Sequence, residues 1–166
     1  MITADDIIQT IKKLDNLYTP NPPKVWQYTI DGVPRSKKNS QKIILVKGHP
    51  MILPSDAYKA YEAQAGRFLC NRPDKPIDVP VHISCIYLMP LNKDGSTPRR
   101  KVDLVNLLEA TCDILVKYKI IADDNCQIVK SVDGSRVYYV AVEPRTYITI
   151  TEIRDESNTP EQAEGG

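Results

Sequence analysis

The chain of 166 residues is 42% hydrophobic and 26% charged, and its formal net charge at pH 7 is +1. A chain of this length and composition can bury a substantial core as one globular domain. The small net charge does not by itself indicate a nucleic-acid-binding protein. Such a function would have to rest on local clusters of charge.

The cysteines and the hydropathy pattern argue against several other classes of protein. The four cysteines are far apart, form no C-x-x-C pair and are accompanied by only two histidines. This pattern favours reduced, mostly buried thiols over a zinc site or a disulfide scaffold. There is no signal-peptide pattern and no apolar run near the ~20 residues of a membrane span, so we expect a cytoplasmic protein. Glycine-rich phosphate loops are absent from the sequence, which argues against nucleotide hydrolysis.

The first predicted element is a helix over residues 3–18, where isoleucines and a leucine repeat at helical spacing after Thr3. A proline-rich linker then stops the helix. We therefore expect residues 1–24 to be an appendage, which docks on its own domain or on a partner subunit. The main domain is expected over residues 25–154, and the acidic segment 155–166 is expected to be disordered.

The next segment predicts a strand over 25–30, a hairpin over 41–53 and a helix from 56 to about 70 that Ser55 caps. The loop between the first strand and the hairpin places cations among small polar residues, a composition suited to holding phosphate oxygens. The candidate DNA-binding residues of this loop are Arg35, Lys37, Lys38 and Asn39. A solvated loop without a ligand is the alternative interpretation.

A strand over 81–89 and a basic run, Arg99-Arg100-Lys101, lead into the most informative helix of the chain. At about 100° per residue its apolar face consists of Leu104, Leu107, Leu108, Thr111, Ile114, Leu115 and Tyr118, and its polar face consists of Asn106, Glu109 and Asp113. Asp103 suits the N-cap, and the acidic turn Asp123-Asp124-Asn125 follows the helix. An ordinary cap and an ordinary turn would also explain these acidic residues.

The remaining chain predicts strands over 126–132, 136–142 and 145–153, with a turn at Asp133-Gly134. The element order predicts an α+β fold in which a mixed or mainly antiparallel sheet is covered by two helices, with an extra N-terminal helix.

The order of these motifs resembles the RusA family of Holliday junction resolvases, which prophages often carry. The shared motifs are a proline followed by Ser36-Lys37-Lys38-Asn39-Ser40, Ser55 before a helix with Tyr58 and Tyr61, a basic run before Asp103-x-x-Asn106-Leu107, Asp113-x-Leu115, and Asp123-Asp124. The similarity spans about residues 25–153, and the segment from Asp103 to Asp124 is its most specific part.

The resemblance implies a homodimeric endonuclease that binds four-way DNA junctions by shape and nicks two opposing strands symmetrically, in DNA recombination and repair. It also implies Mg²⁺, or Mn²⁺ in its place, held by aspartates. Carried over to this sequence, the metal-binding and catalytic residues are Asp103 and Asp124, with Asp123 beside the latter. Hard divalent cations prefer oxygen ligands and activate water for attack on phosphodiesters, which agrees with this assignment.

Two positions depart from the family pattern. Val105 stands where the family usually has a second aspartate, and Glu109 stands where it usually has a lysine. Valine cannot bind a metal, so we expect Glu109 to supply the missing carboxylate as a fourth catalytic and metal-binding residue. It lies roughly 9 Å of helix rise beyond Asp103 and would have to reach back toward the N-terminus. A solvent-facing glutamate is the alternative.

Three functions therefore stay open at the level of sequence: an active resolvase, a junction-binding protein that lost cleavage through Val105, and a small interaction domain without a nucleic-acid role. For the first two, the further candidate DNA-binding residues are Arg99, Arg100, Lys101, Asn106 and Arg136. A two-fold dimer is expected because a four-way junction is itself two-fold symmetric.

Overall fold

A computed structural model describes residues 22–38, 42–99 and 101–154. In chain order these residues form β1 (Val25–Asp31), β2 (Lys42–Val46), β3 (His49–Leu53), α1 (Asp56–Phe68), β4 (Val81–Pro90), α2 (Leu104–Lys117), β5 (Val129–Ser131), β6 (Arg136–Val140) and β7 (Arg145–Glu152). The predicted N-terminal helix, the acidic tail, Asn39 and Arg100 lie outside the described residues.

The main sheet is mixed. Strand β7 lies antiparallel between β1 and β4. The other edge of β4 pairs in parallel with β5 at its beginning and with β6 at its end. The hairpin of β2 and β3 is a separate two-stranded sheet. The predicted α+β fold with a mixed sheet and two helices is confirmed.

One face of the main sheet forms the core together with both helices. Along β4, buried and half-buried residues alternate, as expected for a strand covered on one side. The buried side chains Ile83 and Tyr87 belong to the same cluster as Tyr61 of α1 and Leu107 and Leu115 of α2. The opposite face of the sheet carries no such layer within the described residues.

Buried hydroxyl groups fix α2 on the sheet. The Thr111 hydroxyl donates to the carbonyl oxygen of Leu107 at 2.9 Å and lies 2.8 Å from the Tyr87 hydroxyl of β4. Because polar groups in a core must be hydrogen-bonded, this pairing sets the position of the helix on the strand. It therefore determines which part of the surface the polar face of α2 occupies.

The two helices approach each other closely at Gly66. A Cβ atom there would lie 2.5 Å from Cε1 of the Tyr118 ring. The Tyr118 hydroxyl donates to the carbonyl oxygen of Glu62 at 2.9 Å. Glycine is therefore required for this approach of α1 to the end of α2.

Some predicted boundaries were wrong. The strand predicted over 126–132 is shorter in the structure, where only β5 is extended. The residues before it form a turn at Asn125, whose side chain accepts from the Gln127 amide and whose carbonyl accepts from the Ile128 and Val129 amides. Helix α1 ends at Phe68, so Cys70 lies outside it. The expectation of mostly buried thiols holds only for Cys85 and Cys112. Cys70 and Cys126 are exposed.

Neither helix of the described chain is long and apolar enough to cross a membrane.

Candidate functional site

Asp103 caps α2, as predicted. Its backbone is extended, and its Oδ1 atom accepts from the Val105 amide at 2.9 Å and from the Asn106 amide at 3.5 Å. Both bonds use the same oxygen, so capping does not engage Oδ2. The side chain is exposed. One carboxylate can therefore hold the start of the helix and still offer an oxygen ligand.

Two lysines from the loop after β1 lie on the polar face of α2. Lys37 Nζ is 2.6 Å from Asp113 Oδ2, and Lys38 Nζ is 2.7 Å from Glu109 Oε2. The hydrogen bond with Glu109 is the main cause that raises the pKa of Lys38, and the charges of Glu109, Asp103 and Asp113 add to it. One ammonium group thus lies within electrostatic reach of three carboxylates.

The acidic turn is anchored by the backbone that precedes it. Ile121 is buried, and an isolated bridge joins it to Ile77. The Ile77 amide donates to the Ile120 carbonyl at 2.9 Å, and the Ala122 amide donates to the Ile77 carbonyl at 2.8 Å. Asp123 and Asp124 follow directly. Their position is therefore set by the core rather than by a free loop.

The two aspartates of the turn have opposite pKa shifts. The Asp123 carboxylate accepts from the Asn125 side chain at 2.9 Å and from the Asp124 amide at 2.7 Å, which lowers its pKa. Burial raises the pKa of Asp124, and the neighbouring carboxylates of Asp123 and Asp113 add to this rise. Since Asp113 acts on both Lys38 and Asp124, the turn and the polar face of α2 belong to one acidic surface.

Electrostatic interactions connect these residues in a series: Lys38 interacts with Asp103, Glu109 and Asp113, and Asp113 interacts with Lys37 and Asp124. The residues that share the acidic surface are Asp103, Glu109, Asp113, Asp123, Asp124, Lys37 and Lys38. Arg35 and Lys101 line a pocket beside Asp103. The structure does not bring Arg136 to this surface, because it pairs with Ile86 and shares its face of the sheet, opposite the buried Tyr87.

Sequence reasoning did not include Asp113 among the site residues. Its spacing of four residues from Glu109 is the signal that could have added it, because such residues are neighbours on a helix. Arg99 is exposed, and Asn106 is half-buried in the first turn of α2. His82 has a structural role, since its Nδ1 atom lies 2.7 Å from the Ser131 hydroxyl of the neighbouring strand.

The donor set suits a hard divalent cation. Within residues 22–38, 42–99 and 101–154, no three carboxylate, histidine or cysteine side chains are grouped closely enough to enclose a metal ion. Mg²⁺ does not require such a cage, since it is commonly held by one or two carboxylates together with waters and phosphate oxygens. The raised pKa of Asp124 reflects burial and repulsion between carboxylates, and a cation would relieve that repulsion.

Carboxylates can hold a divalent cation that acts on phosphodiesters, and neighbouring lysines and arginines can bind a nucleic-acid backbone, so this surface suits an enzyme that acts on nucleic acid. The sequence profile of the family described as Endodeoxyribonuclease RusA matches residues 31–151. The chain therefore belongs to the RusA endodeoxyribonuclease family, whose members are junction-resolving endonucleases. A search of curated proteins finds no match to the chain.

Proposed function

We propose that this protein is an Mg²⁺-dependent endonuclease that resolves Holliday junctions by paired, symmetric nicks in the cytoplasm, during DNA recombination and repair. Mn²⁺ is expected to substitute for Mg²⁺. The observation that carries the proposal is the acidic surface, where two lysines of a loop pair with carboxylates of α2 and one of these carboxylates, Asp113, also acts on Asp124 of the following turn. Family membership supplies the class of substrate.

Asp103 and Asp124 are the proposed principal metal ligands, with Asp123 beside them. When bound, the cation would neutralise the scissile phosphate and lower the pKa of a water molecule. The contribution of the chain is to hold these oxygens in place. The helix cap fixes Asp103, and the backbone bonds of Ile77 fix the turn that contains Asp124.

Glu109 is the proposed additional metal ligand. Because it forms an ion pair with Lys38, metal binding by Glu109 would also affect this lysine. Glu109 binds the Lys38 ammonium group through Oε2 at 2.7 Å, and turning this carboxylate toward a cation would release the lysine. The released lysine would then be free to bind a phosphate of the DNA. Both groups are well exposed, so the exchange costs little. Glu109→Ala should therefore slow nicking in Mg²⁺, and unchanged nicking would remove Glu109 from the ligand set.

The DNA backbone is proposed to follow the cations around the acidic surface. The proposed contacts are Arg35, Lys37, Lys38, Arg99, Lys101 and Asn106, together with Asn39 and Arg100, which lie outside the described residues. Arg136 is left out because it lies on the other face of the sheet. We further propose a two-fold homodimer, since paired nicks in a two-fold junction require two equivalent sites.

Nicking of a synthetic four-way junction in Mg²⁺, followed on denaturing gels, tests the function. Asp124→Asn should reduce nicking by on the order of 100-fold or more while leaving junction binding in EDTA unchanged, since even outer-shell partners of metal ligands are worth 10- to 100-fold. Asp74→Asn is the matched control, because Asp74 is exposed and lies in the connection between α1 and β4. Full nicking by Asp124→Asn would contradict the proposal.

The same assay tests a junction-binding protein that has lost cleavage. Val105 is 68% exposed in the first turn of α2, so an aspartate there would not disturb the core. Binding without nicks by the wild-type chain, with nicking restored by Val105→Asp, would favour this second function. A chain that does not bind the junction even at low salt would instead be an interaction domain.

A further inference from the structure

The hairpin of β2 and β3 exposes more large hydrophobic side chains than any other element of the described chain. Twelve such residues are exposed in the described chain, and six of them lie in this hairpin: Ile43, Ile44, Leu45, Val46, Met51 and Ile52. No residue of the hairpin belongs to the core cluster or to the hydrophobic residues packed against it. Two strands alone are at best marginally stable in water, so an apolar hairpin requires a covering layer.

The pairing register divides these side chains between two faces. Residues directly opposite each other in an antiparallel pair point to the same side, and Ile43 pairs with Ile52 while Leu45 pairs with Pro50. We call the face formed by these four residues the open face. Its two isoleucines and its leucine are 62–75% exposed, whereas the exposed hydrophobic residues of the other face are 37–45% exposed. The open face is therefore the larger apolar surface that no described residue covers.

The size and the charge of the open face suit contact with an identical face. At roughly 30 Å² of surface for each buried carbon, its side chains offer roughly 300 Å² of apolar surface. A stable interface buries about 800 Å² on each partner, of which about 60% is apolar. The open face thus supplies more than half of the apolar surface that a dimer requires. None of its four residues is charged, so two copies can meet without burying a charge.

We propose that the open face packs against the open face of a second copy of the chain, about a two-fold axis. A contact of this kind needs one self-complementary patch on each chain, and the uncharged open face is such a patch. A second copy is the expected partner because the proposed function, on which this inference rests, requires two equivalent sites for paired nicks.

Short connections link the hairpin to the acidic surface and to the core. Lys38, which pairs with Glu109, lies four residues before Lys42, where β2 begins. At most ~14 Å of extended chain can separate these two lysines. At the other end, β3 stops at Leu53, and Ser55 caps α1. A dimer formed through the open face therefore keeps both acidic surfaces near the interface, as two nicks close to one crossover require.

Leu45→Lys is the variant that tests the interface. Leu45 is 75% exposed, so the substitution should not disturb the fold of the single chain, which circular dichroism verifies. In the dimer, however, it would bury two unpaired ammonium groups. Sedimentation velocity should show a dimer for the wild-type chain and a dissociation constant raised on the order of 100-fold for the variant. Ile52→Lys, on the facing strand, should give the same loss. Val142→Lys is the matched control, because Val142 is 61% exposed between β6 and β7; it should sediment like the wild-type chain.

Ile11→Lys tests the other segment that could cover the open face. Ile11 belongs to the apolar stripe of the predicted N-terminal helix, and this substitution should leave association unchanged. Dissociation of Ile11→Lys as strong as that of Leu45→Lys would assign the open face to that helix and overturn the interface. A Leu45→Lys dimer as tight as the wild-type dimer would also overturn it. A monomeric wild-type chain would do the same, and a loss of junction affinity in Leu45→Lys would then make the open face a DNA contact.

Sedimentation requires no DNA, so the interface and the proposed function can fail separately. A wild-type chain that dimerises through the open face but nicks no junction would retain the interface and lose the proposed function. A chain that nicks junctions while Leu45→Lys stays a dimer would retain the proposed function and lose the interface.

Discussion

Asp103 combines a structural and a proposed chemical task in one carboxylate, and the two tasks have different requirements. The helix cap requires a side-chain oxygen that accepts from the Val105 and Asn106 amides, and an amide oxygen does this as well as a carboxylate. A divalent cation instead requires negative charge. Conservative and non-conservative replacements of Asp103 can therefore separate helix capping from metal binding.

Asp103→Asn should retain the cap and keep the free energy of unfolding close to that of the wild-type chain, whereas Asp103→Ala should lose about 1 kcal/mol. Both variants should lose nicking in Mg²⁺. Urea denaturation and the junction-nicking assay measure the two effects. Full nicking by Asp103→Asn would show that the carboxylate serves the helix alone.

The four cysteines divide into two classes by burial. Cys70 and Cys126 are exposed, while burial raises the pKa of Cys85 to about 12 and that of Cys112 to about 11. A thiol reagent at pH 8 should therefore titrate two thiols in the folded protein and four in urea. Rapid reaction of a third thiol in the folded protein would contradict the burial of β4 or α2.

The same pKa shifts predict that the stability of the folded protein decreases at alkaline pH. Both thiols ionise near pH 9 in the unfolded chain and at higher pH in the folded protein. Between these pH values the folded state therefore binds more protons than the unfolded state. Their contribution to stability is complete below pH 9 and is lost as the pH rises through the folded values. The melting temperature should therefore begin to fall above pH 9, and Cys85→Ala should reduce that fall.

At the scale of elements, the approach of α1 to α2 depends on one missing side chain. Gly66 faces the Tyr118 ring, and the Tyr118 hydroxyl holds the Glu62 carbonyl of the same helix. Because Tyr118 directly follows α2 as its C-cap, this contact fixes the end of the helix from which the chain continues to the acidic turn. Packing at Gly66 therefore supports the site from a distance.

Gly66→Ala should destabilise the protein by about 1–3 kcal/mol through overpacking, even though alanine is the better helix former. Ala63→Gly is the reference for intrinsic helix propensity, since Ala63 is exposed in the same helix; it should cost about 1 kcal/mol. Urea denaturation measures both changes. A stabilised Gly66→Ala variant would show that the helices do not approach here.

For the molecule as a whole, the small net charge does not show how the charged side chains are distributed over the surface. Lys37, Lys38, Arg35 and Lys101 border the acidic surface, whereas Arg136 lies on the opposite face of the sheet. Cations beside the carboxylates allow a polyanion to approach an acidic site. The face on which a cation lies should therefore decide its effect on DNA binding.

Lys101→Ala should weaken junction binding at low salt and reduce the slope of log affinity against log salt by about one. Arg136→Ala should leave the slope unchanged and serves as the matched control. Binding titrations over a range of salt concentrations provide the measurement. Equal slopes for both variants would contradict a DNA path restricted to the acidic face of the molecule.

Local patterns in the sequence were sufficient for the element types and for the helix cap at Asp103. Alternation in β4, the helical repeat of α2 and the caps at Ser55 and Asp103 are local properties, and the structure confirms each of them. The cap at Asp103 and the acidic turn were predicted from the residues themselves, and their role in metal binding was predicted from the resemblance to the RusA family.

Only tertiary structure decided which side chains meet. Lys38 lies 2.7 Å from Glu109, and Ser36 shares a pocket with Tyr139, although each pair is widely separated along the chain. The face that Arg136 occupies likewise follows from its parallel register with β4. Such contacts depend on how the sheet and helices pack, and packing is a property of the whole core that no local periodicity contains.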